Sequence, residues 1–378
     1  MSLVNLPRKL ADQLSHAGSS LVIRFPDDVT FPAGRSNPEC VISLKNMAAV
    51  EAMRSGNEYA VGNAFLTGSI DFSGNMLAAL PLRSTLTDVG PQKSLWRSLA
   101  KFWRRGREAH RQAIAAHYRH DGEFYLAFLD PVRPCYSFGM FEGDDDSFSN
   151  AAARKFRYCL DACGLKPGDR VLEIGPGYGA FAAYAAEQGI TYVGLTDSQA
   201  AAEFLNGRLA HGQTRPTFLF ADVFDFVPEK PFDAVVMMSV VEHLPDYAAL
   251  VRAVSSFLVP SGRVYLDGTA MTKKFHPSSV MIDYLYAGND YSLCDLPRLF
   301  RELHASNLTV LEFRNERRNW ERSYTRWAQN LEANRDRIVS RYGEFQYRTY
   351  FLYLWGAVGD IQLGRVDGYR MLLQAGEV

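Results

Sequence analysis

From Leu165 onward, short apolar runs alternate with stretches in which apolar residues recur every three or four positions. Arg170 to Ile174, Thr191 to Thr196, Thr217 to Ala221, Ala234 to Met238 and Gly262 to Leu266 read as buried strands. Phe181 to Gln188, Ala200 to Leu209 and Tyr247 to Phe257 read as helices between them. Such alternation predicts an α/β fold with a Rossmann-like, doubly wound parallel sheet. Residues 271 to 378 lose the alternation and are richer in aromatics and arginine, so helical insertions and the last strands, closing over a pocket, are expected there. Residues 1–83 differ again, with short β-like runs (Leu21 to Phe25, Cys40 to Leu44), a helical stretch from Lys45 to Arg54, and turns at Gly56, Gly62, Gly68 and Gly74. They predict a small N-terminal α+β domain without a visible catalytic cluster.

Residues 84–116 separate this domain from the one expected over 117–378. From Pro91 to His120 the chain is basic and amphipathic: Lys93, Arg97, Lys101, Arg104, Arg105, Arg107 and Arg111 interleave with Leu95, Trp96, Leu99, Phe102 and Trp103. Two readings fit. One is a solvated linker helix docked on the following domain. The other is a helix lying on an anionic lipid surface, where Lys and Arg beside Trp and Phe suit the headgroup boundary. Charge alone does not decide between them.

Composition narrows the classes. A chain of 378 residues suits two domains, and 47% hydrophobic with 22% charged residues excludes a disordered or fibrous protein. The net charge of −1 provides no global attraction for nucleic acid or membranes. Residues 117–378 hold no basic stripe interleaved with aromatics, so nucleic acid is not an expected partner. The five cysteines fit neither a disulfide framework nor a zinc ribbon. Cys159 and Cys163 lie four apart on a predicted helix but lack a second ligand pair, so reduced thiols and no metal site are expected. Neither a secretory leader nor a run approaching the ~18 apolar residues of a membrane span is visible. A cytoplasmic location is therefore expected, with peripheral contact at the inner membrane face if the basic segment binds lipid. A homo-oligomer is left open.

The chemistry concentrates in Val171-Leu-Glu-Ile-Gly-Pro-Gly-Tyr-Gly-Ala-Phe181, where a strand feeds a glycine-rich turn that opens a helix. Glycines let backbone approach a ligand, and the helix start offers unpaired N–H groups. A dinucleotide loop has the spacing Gly-x-Gly-x-x-Gly. Gly175, Gly177 and Gly179 instead follow Gly-x-Gly-x-Gly, with Glu173 two positions before the first glycine, the form used for S-adenosylmethionine (SAM). Downstream, Thr196 and Asp197 stand where ribose hydroxyls need acceptors. Asp222 is placed to accept from the adenine amine, with Val223 and Met238 as apolar walls. Capping of the next helix, together with Ser198, is the alternative for Asp197, and an N-cap or turn role the alternative for Asp222.

Several strings occur in one order: His117-Tyr118, Phe124-Tyr125, Phe128-Leu-Asp130, Cys135-Tyr-Ser-Phe-Gly139, Leu165-Lys-Pro-Gly168, the glycine loop, Glu242-His243 and Arg348-Thr-Tyr-Phe-Leu-Tyr-Leu354. Together they resemble the cyclopropane fatty acid synthases and mycolic acid cyclopropane synthases, from His117 to the end of the chain and more faintly over the first hundred residues. The resemblance implies methyl transfer from SAM to the double bond of an unsaturated acyl chain of a phospholipid, with residues 1–83 as a lipid-binding-like domain. It implies that Tyr136 and Ser137 contact the methionine end of the cofactor together with Gly175 and Gly177. The family also holds a bicarbonate ion through a glutamate, a histidine, a tyrosine and backbone at a cysteine. Glu242 matches the glutamate, but Phe138, Asp267 and Trp320 stand where the cysteine, histidine and tyrosine are expected. A carboxylate at Asp267 repels an anion, which puts bicarbonate in doubt.

Methylating an alkene leaves a carbocation, which aromatic faces stabilise and a base must resolve. Glu242, alone or with Asp267, is the candidate base. Tyr136, Phe138, Tyr265, Tyr284, Tyr286 and Trp320 are candidates to line the pocket, whereas His117, His243 and His276 read as structural. The product is left open among cyclopropane, methyl-branched and methylene lipids. Two alternatives stay open: a methyltransferase for a soluble small molecule, and a non-catalytic lipid-binding relative.

Overall fold

The computed structural model describes residues 20–34, 37–87, 122–210, 214–244, 246–272, 278–285 and 293–377. The basic segment from Pro91 to His120, together with His276 and Tyr286, lies outside the described residues. Packing divides the chain into two units, neither of them contiguous in sequence. One gathers the described residues of Met1–Ala127, His276–Tyr291 and Ala328–Gly359, and the other those of Phe128–Phe275, Ser292–Trp327 and Asp360–Val378.

In the first unit, β1 (Ser20–Arg24) pairs antiparallel with β2 (Thr30–Gly34) and parallel with β3 (Cys40–Leu44). β3 in turn pairs antiparallel with β4 (Ile70–Gly74), giving the order β2-β1-β3-β4. Alternation along β3 buries Cys40, Ile42 and Leu44. Helices α1 (Met47–Arg54) and α2 (Glu58–Leu66) follow, each opened by an asparagine whose side chain accepts a backbone N–H: Asn46 from Ala49, Asn57 from Tyr59. Late segments complete this unit. On helix Glu344–Gln362, buried Arg348 donates to the carbonyls of Phe65 and Ile70 at 3.1 Å each, satisfying acceptors at the end of α2 and the start of β4.

The second unit is built on a seven-stranded sheet. Its strands are β5 (Arg170–Ile174), β6 (Thr191–Thr196), β7 (Thr217–Phe220), β8 (Phe232–Met238), β9 (Leu258–Met271), β10 (Leu308–Asn315) and β11 (Val366–Ala375), in the order β10-β11-β9-β8-β5-β6-β7. The α/β, Rossmann-like fold is the one predicted, with one difference. β11 runs antiparallel to both its neighbours, whereas β5 to β9 pair parallel. β9 also extends beyond the predicted Gly262 to Leu266, because β11 pairs with it from Arg263 to Met271. Leu172, Val235, Val264 and Met371, all buried, form part of its core.

Helices α3 (Phe148–Cys163), α4 (Ala180–Glu187), α5 (Gln199–Arg208), α6 (Tyr247–Phe257) and α7 (Arg317–Ala333) complete the elements that matter for the site. Strand β5 lies between β6 and β8, so the sheet order reverses there, and the carboxyl ends of β5 and β8 border the crevice where open α/β sheets bind ligands. Among the described residues no helix is long and apolar enough to cross a membrane.

Candidate active site

The glycine loop connects β5 to α4. Gly175, Gly177 and Gly179 have φ of 72°, 54° and 77°, a region that residues with a Cβ avoid. Two of these positions also explain themselves by what lies around them. A Cβ on Gly175 would come within 2.6 Å of Val240 Cγ2, whereas a Cβ on Gly177 would meet nothing within 4 Å. The loop is thus pinned at Gly175 and faces open space at Gly177, where a ligand can approach the backbone. Glu173, at the buried end of β5, accepts a hydrogen bond from Tyr192 on β6. Burial pushes its pKa up to about 8, against the lowering effects of that bond and of the Lys155 charge.

The other cofactor candidates stand at the ends of neighbouring strands. Thr196 ends β6, and Asp197 after it is exposed. The capping role weighed for Asp197 falls instead to Ser198, whose hydroxyl accepts from Ala201 N at 3.2 Å. Asp222 does make the turn contact weighed for it, accepting from Phe224 N at 2.9 Å. Val223 and Met238 are buried.

A second cluster joins Ser137, Asp267 and a residue that the sequence reading missed, Lys155. On α3, Lys155 belongs to the buried stripe of Ala151, Ala152, Phe156, Cys159 and Cys163. Its Nζ lies 2.9 Å from Ser137 Oγ and 3.3 Å from Asp267 Oδ2, with both charged side chains fully enclosed. Ser137 donates to Asp267 Oδ1 at 2.7 Å, Tyr265 donates to Oδ2 at 3.2 Å, and the backbone N–H of Ser239 donates to Oδ1 at 3.0 Å. Burial lowers the affinity of Lys155 for its proton, but the Asp267 charge and hydrogen bond together with neighbouring cysteines outweigh it, and the net shift is upward. Lys155 therefore stays charged. Asp267 is thus a paired carboxylate and not the bare one expected to repel an anion.

Glu242 lies in a single 3-10 turn, Val241–His243, directly after β8. Its Oε1 accepts from Thr269 N at 2.7 Å and from Thr269 Oγ1 at 3.2 Å, while Oε2 is enclosed without a hydrogen-bond partner. Gly268 makes room for it, since a Cβ there would sit 2.7 Å from the carboxylate carbon. Burial pushes its pKa up to about 7, opposed by the Thr269 donors and its own backbone and reinforced by the charge of Asp267.

Aromatic residues form a wall along α7. Phe138 and Trp320 are buried with ring centroids 5.6 Å apart, and Tyr136 packs on Trp327 at 5.0 Å. Lys155 Nζ sits 4.9 Å from the Phe138 centroid. Trp320 lies flat on Gly368 of β11: a Cβ there would fall 1.6 Å from its Cδ1. Tyr284, expected near the pocket, is instead 41% exposed on the first unit and donates to Asn63 Oδ1 at 2.8 Å, because its helix belongs to that unit.

Comparison with known proteins now adds a decisive observation. Residues 105–371 match the family model described as mycolic acid cyclopropane synthetase. The chain belongs to that family. Its members are SAM-dependent methyltransferases, and SAM is the cofactor here. Similar curated proteins include cyclopropane mycolic acid synthase 1 of Mycobacterium tuberculosis, 26% identical over 272 residues, 67% of this chain and 93% of that protein. Sphingolipid C9-methyltransferase of Komagataella phaffii is 22% identical over 335 residues, 82% of this chain and 68% of that protein. The crystal structure of mycolic acid cyclopropane synthase CmaA1 complexed with SAH and CTAB superposes with a TM-score of 0.63 at 24% identity, covering 69% of this chain and 97% of that one. That likeness bears on the fold alone.

Proposed function

We propose that this mycolic acid cyclopropane synthetase family member methylates the double bond of an unsaturated fatty acyl chain of a phospholipid, giving a cyclopropane, methyl-branched or methylene lipid. The observation that carries the reading is Glu242: an enclosed carboxylate with a free oxygen at the carboxyl end of β8, in a turn that also buries Val241. An amine or hydroxyl acceptor needs no such apolar surroundings, whereas a carbocation in a lipid chain does. The names of the two curated relatives, one acting on mycolic acid and one on a sphingolipid, support a lipid substrate.

The residues present fit SAM: the loop leaves open space at Gly177, and the enclosed carboxyl of Glu242, which pairs with no lysine or arginine among the described residues, stands at the same strand ends. Tyr136, Ser137, Glu173, Gly175, Gly177, Gly179, Thr196, Asp197, Asp222, Val223 and Met238 would hold it. When bound, it supplies an electrophilic methyl group carried on a positively charged sulfur. The methyl would add to the π pair of the acyl double bond as its bond to sulfur breaks with the electron pair left on sulfur, and the positive charge then on the acyl chain would be stabilised by aromatic faces, for which Phe138 and Trp320 are the candidates. Glu242 Oε2 then accepts the proton, and the electron pair of the broken C–H bond closes the ring or the new double bond. Asp267, with every oxygen engaged, is a positioning residue for Ser137. No step is derived through bicarbonate, because no described cation beside Glu242 is available to hold a second anion. The first unit is proposed to bind lipid, and the basic segment to contact an anionic membrane surface.

Mass spectrometry of lipids from a host with and without the chain, fed labelled SAM, tests the reading. A lipid heavier by one methylene equivalent is expected with the unmodified chain and is lost with Glu242→Gln. Unchanged turnover by that variant sinks the role of Glu242.

A further inference from the structure

Among the described residues, the enclosed carboxyl of Glu242 has no lysine or arginine as a counter-ion. The groups around it can be followed element by element. β9 presents Asp267, whose charge is already met by Lys155 of α3, and Thr269, which donates only to Oε1. The segment bridged to Ala270 presents Cys294, which accepts a hydrogen bond from Tyr247 of α6. Burial pushes that thiol up to about 12, so it brings no charge at neutral pH. The turn itself carries His243, and β5 carries Glu173, kept largely protonated by burial. Among the described residues no lysine or arginine pairs with Glu242, and Oε2 has no donor at all.

Burying an uncompensated carboxylate costs several kcal/mol, so such a group gives up its charge unless a cation arrives. The cofactor of this family is cationic at sulfur while it carries the methyl group and neutral there once the methyl has left. We infer that Glu242 is the counter-ion of the methyl-bearing cofactor, so that loading SAM releases a proton from this carboxyl while loading S-adenosylhomocysteine does not. The base is thereby armed only when there is a methyl group to transfer. In each turnover Glu242 begins deprotonated and ends holding the proton taken from the acyl chain, its charge changing in step with that of the sulfur. The inference rests on the proposed place of Glu242 beside the transferring methyl group, and on nothing about the lipid.

Titration calorimetry of the full chain tests it without turnover. SAM and S-adenosylhomocysteine are titrated near pH 7 in phosphate and in Tris, and the dependence of the observed heat on buffer ionisation enthalpy counts the protons. A carboxyl with a pKa of about 7 is half protonated there, so about half a proton is released per SAM bound, falling toward none by about pH 9. The count for S-adenosylhomocysteine is near zero. Glu242→Gln should bind both and erase the difference between them. Equal counts in the unmodified protein overturn the inference, and so does a difference that survives in Glu242→Gln, which would assign the proton to Glu173. Should the glutamine variant fail to fold, infrared difference spectra of the unmodified protein decide: a protonated-carboxyl C=O band should disappear with SAM and persist with S-adenosylhomocysteine, and its persistence in both overturns the inference. Lipid methylation without proton release sinks this inference and leaves the proposed function standing. Proton release in a protein that methylates no lipid does the reverse.

Discussion

Replacing Lys155 by methionine removes the positive charge that, among the described residues, pairs with Asp267. The methionine keeps the apolar stem that packs in the α3 stripe, so the change is electrostatic rather than volumetric. Asp267 keeps Ser137, Tyr265 and the Ser239 N–H as donors but loses the ammonium 3.3 Å away, in a site with no solvent access. Removing one partner of a buried pair costs about 3–5 kcal/mol. Set against a total stability of about 5–15 kcal/mol, that leaves the variant near the edge of folding. Adding Asp267→Asn to Lys155→Met removes the stranded charge while the amide oxygen still accepts from Ser137 and Ser239. The double variant should therefore be more stable than Lys155→Met alone, by about 2 kcal/mol, although it carries one more substitution. Urea denaturation midpoints of the parent, both single variants and the double variant give the comparison. A Lys155→Met protein as stable as the parent, or a double variant less stable than that single variant, refutes the pairing.

Three further outcomes follow from the same geometry. Gly368→Ala drives a methyl group into the Trp320 ring, with a Cβ 1.6 Å from Cδ1, and should destabilise by about 1–3 kcal/mol, whereas Gly356→Ala, with open space around it, should not; equal thermal midpoints count against the flat packing of Trp320. Glu242 has its pKa raised from 4.5 to about 7 by folding, so its contribution is complete below about pH 4.5 and is lost as pH rises through 7. A shift of that size is about 3 kcal/mol, so Glu242→Gln, which cannot titrate, should gain that much on the parent between about pH 4.5 and pH 8; a constant gap in urea midpoints contradicts the buried carboxyl. If residues 91–120 lie on an anionic lipid surface, vesicles containing phosphatidylserine should bind the chain at low salt and release it at high salt, and salt-independent binding argues against the electrostatic contact.

The parts of this protein that were legible in its sequence are those whose physics acts on residue type locally. The glycine loop is one, because positive φ and close approach exclude a Cβ at Gly175. The buried parallel strands are another, because burial on both faces leaves a continuous apolar run such as Ala234-Val-Val-Met-Met238. Strand direction is different, since an apolar pattern reads the same from either end, and β11 is reversed without any mark in its composition. Segment membership was hidden for a related reason: Tyr284 carries no sign that its helix packs with residues some 220 positions earlier, at Asn63. Lys155 did leave a trace. It stands four residues from Ala151 and four from Cys159 on the buried stripe of α3, where a lysine is tolerable only if an anion waits for it.

That anion is Asp267, and the pairing changes how the departures from the family pattern bear on one another. Counted residue by residue, the replacements at Phe138, Asp267 and Trp320 remove anion ligands and add a negative charge. Counted among the enclosed groups described, Lys155 offsets Asp267, burial keeps Glu173 largely protonated, and Glu242 is left without a lysine or arginine partner. The obstacle to a second anion there is therefore the carboxyl of Glu242 itself, which among the described residues pairs with no lysine or arginine. An enclosed carboxyl that meets no lysine or arginine among the described residues is matched to a ligand bearing one positive charge, and mismatched to the same ligand after that charge has gone. The carboxylate that would repel bicarbonate is the one proposed above as the base, so in that proposal the proton is taken without a second anion.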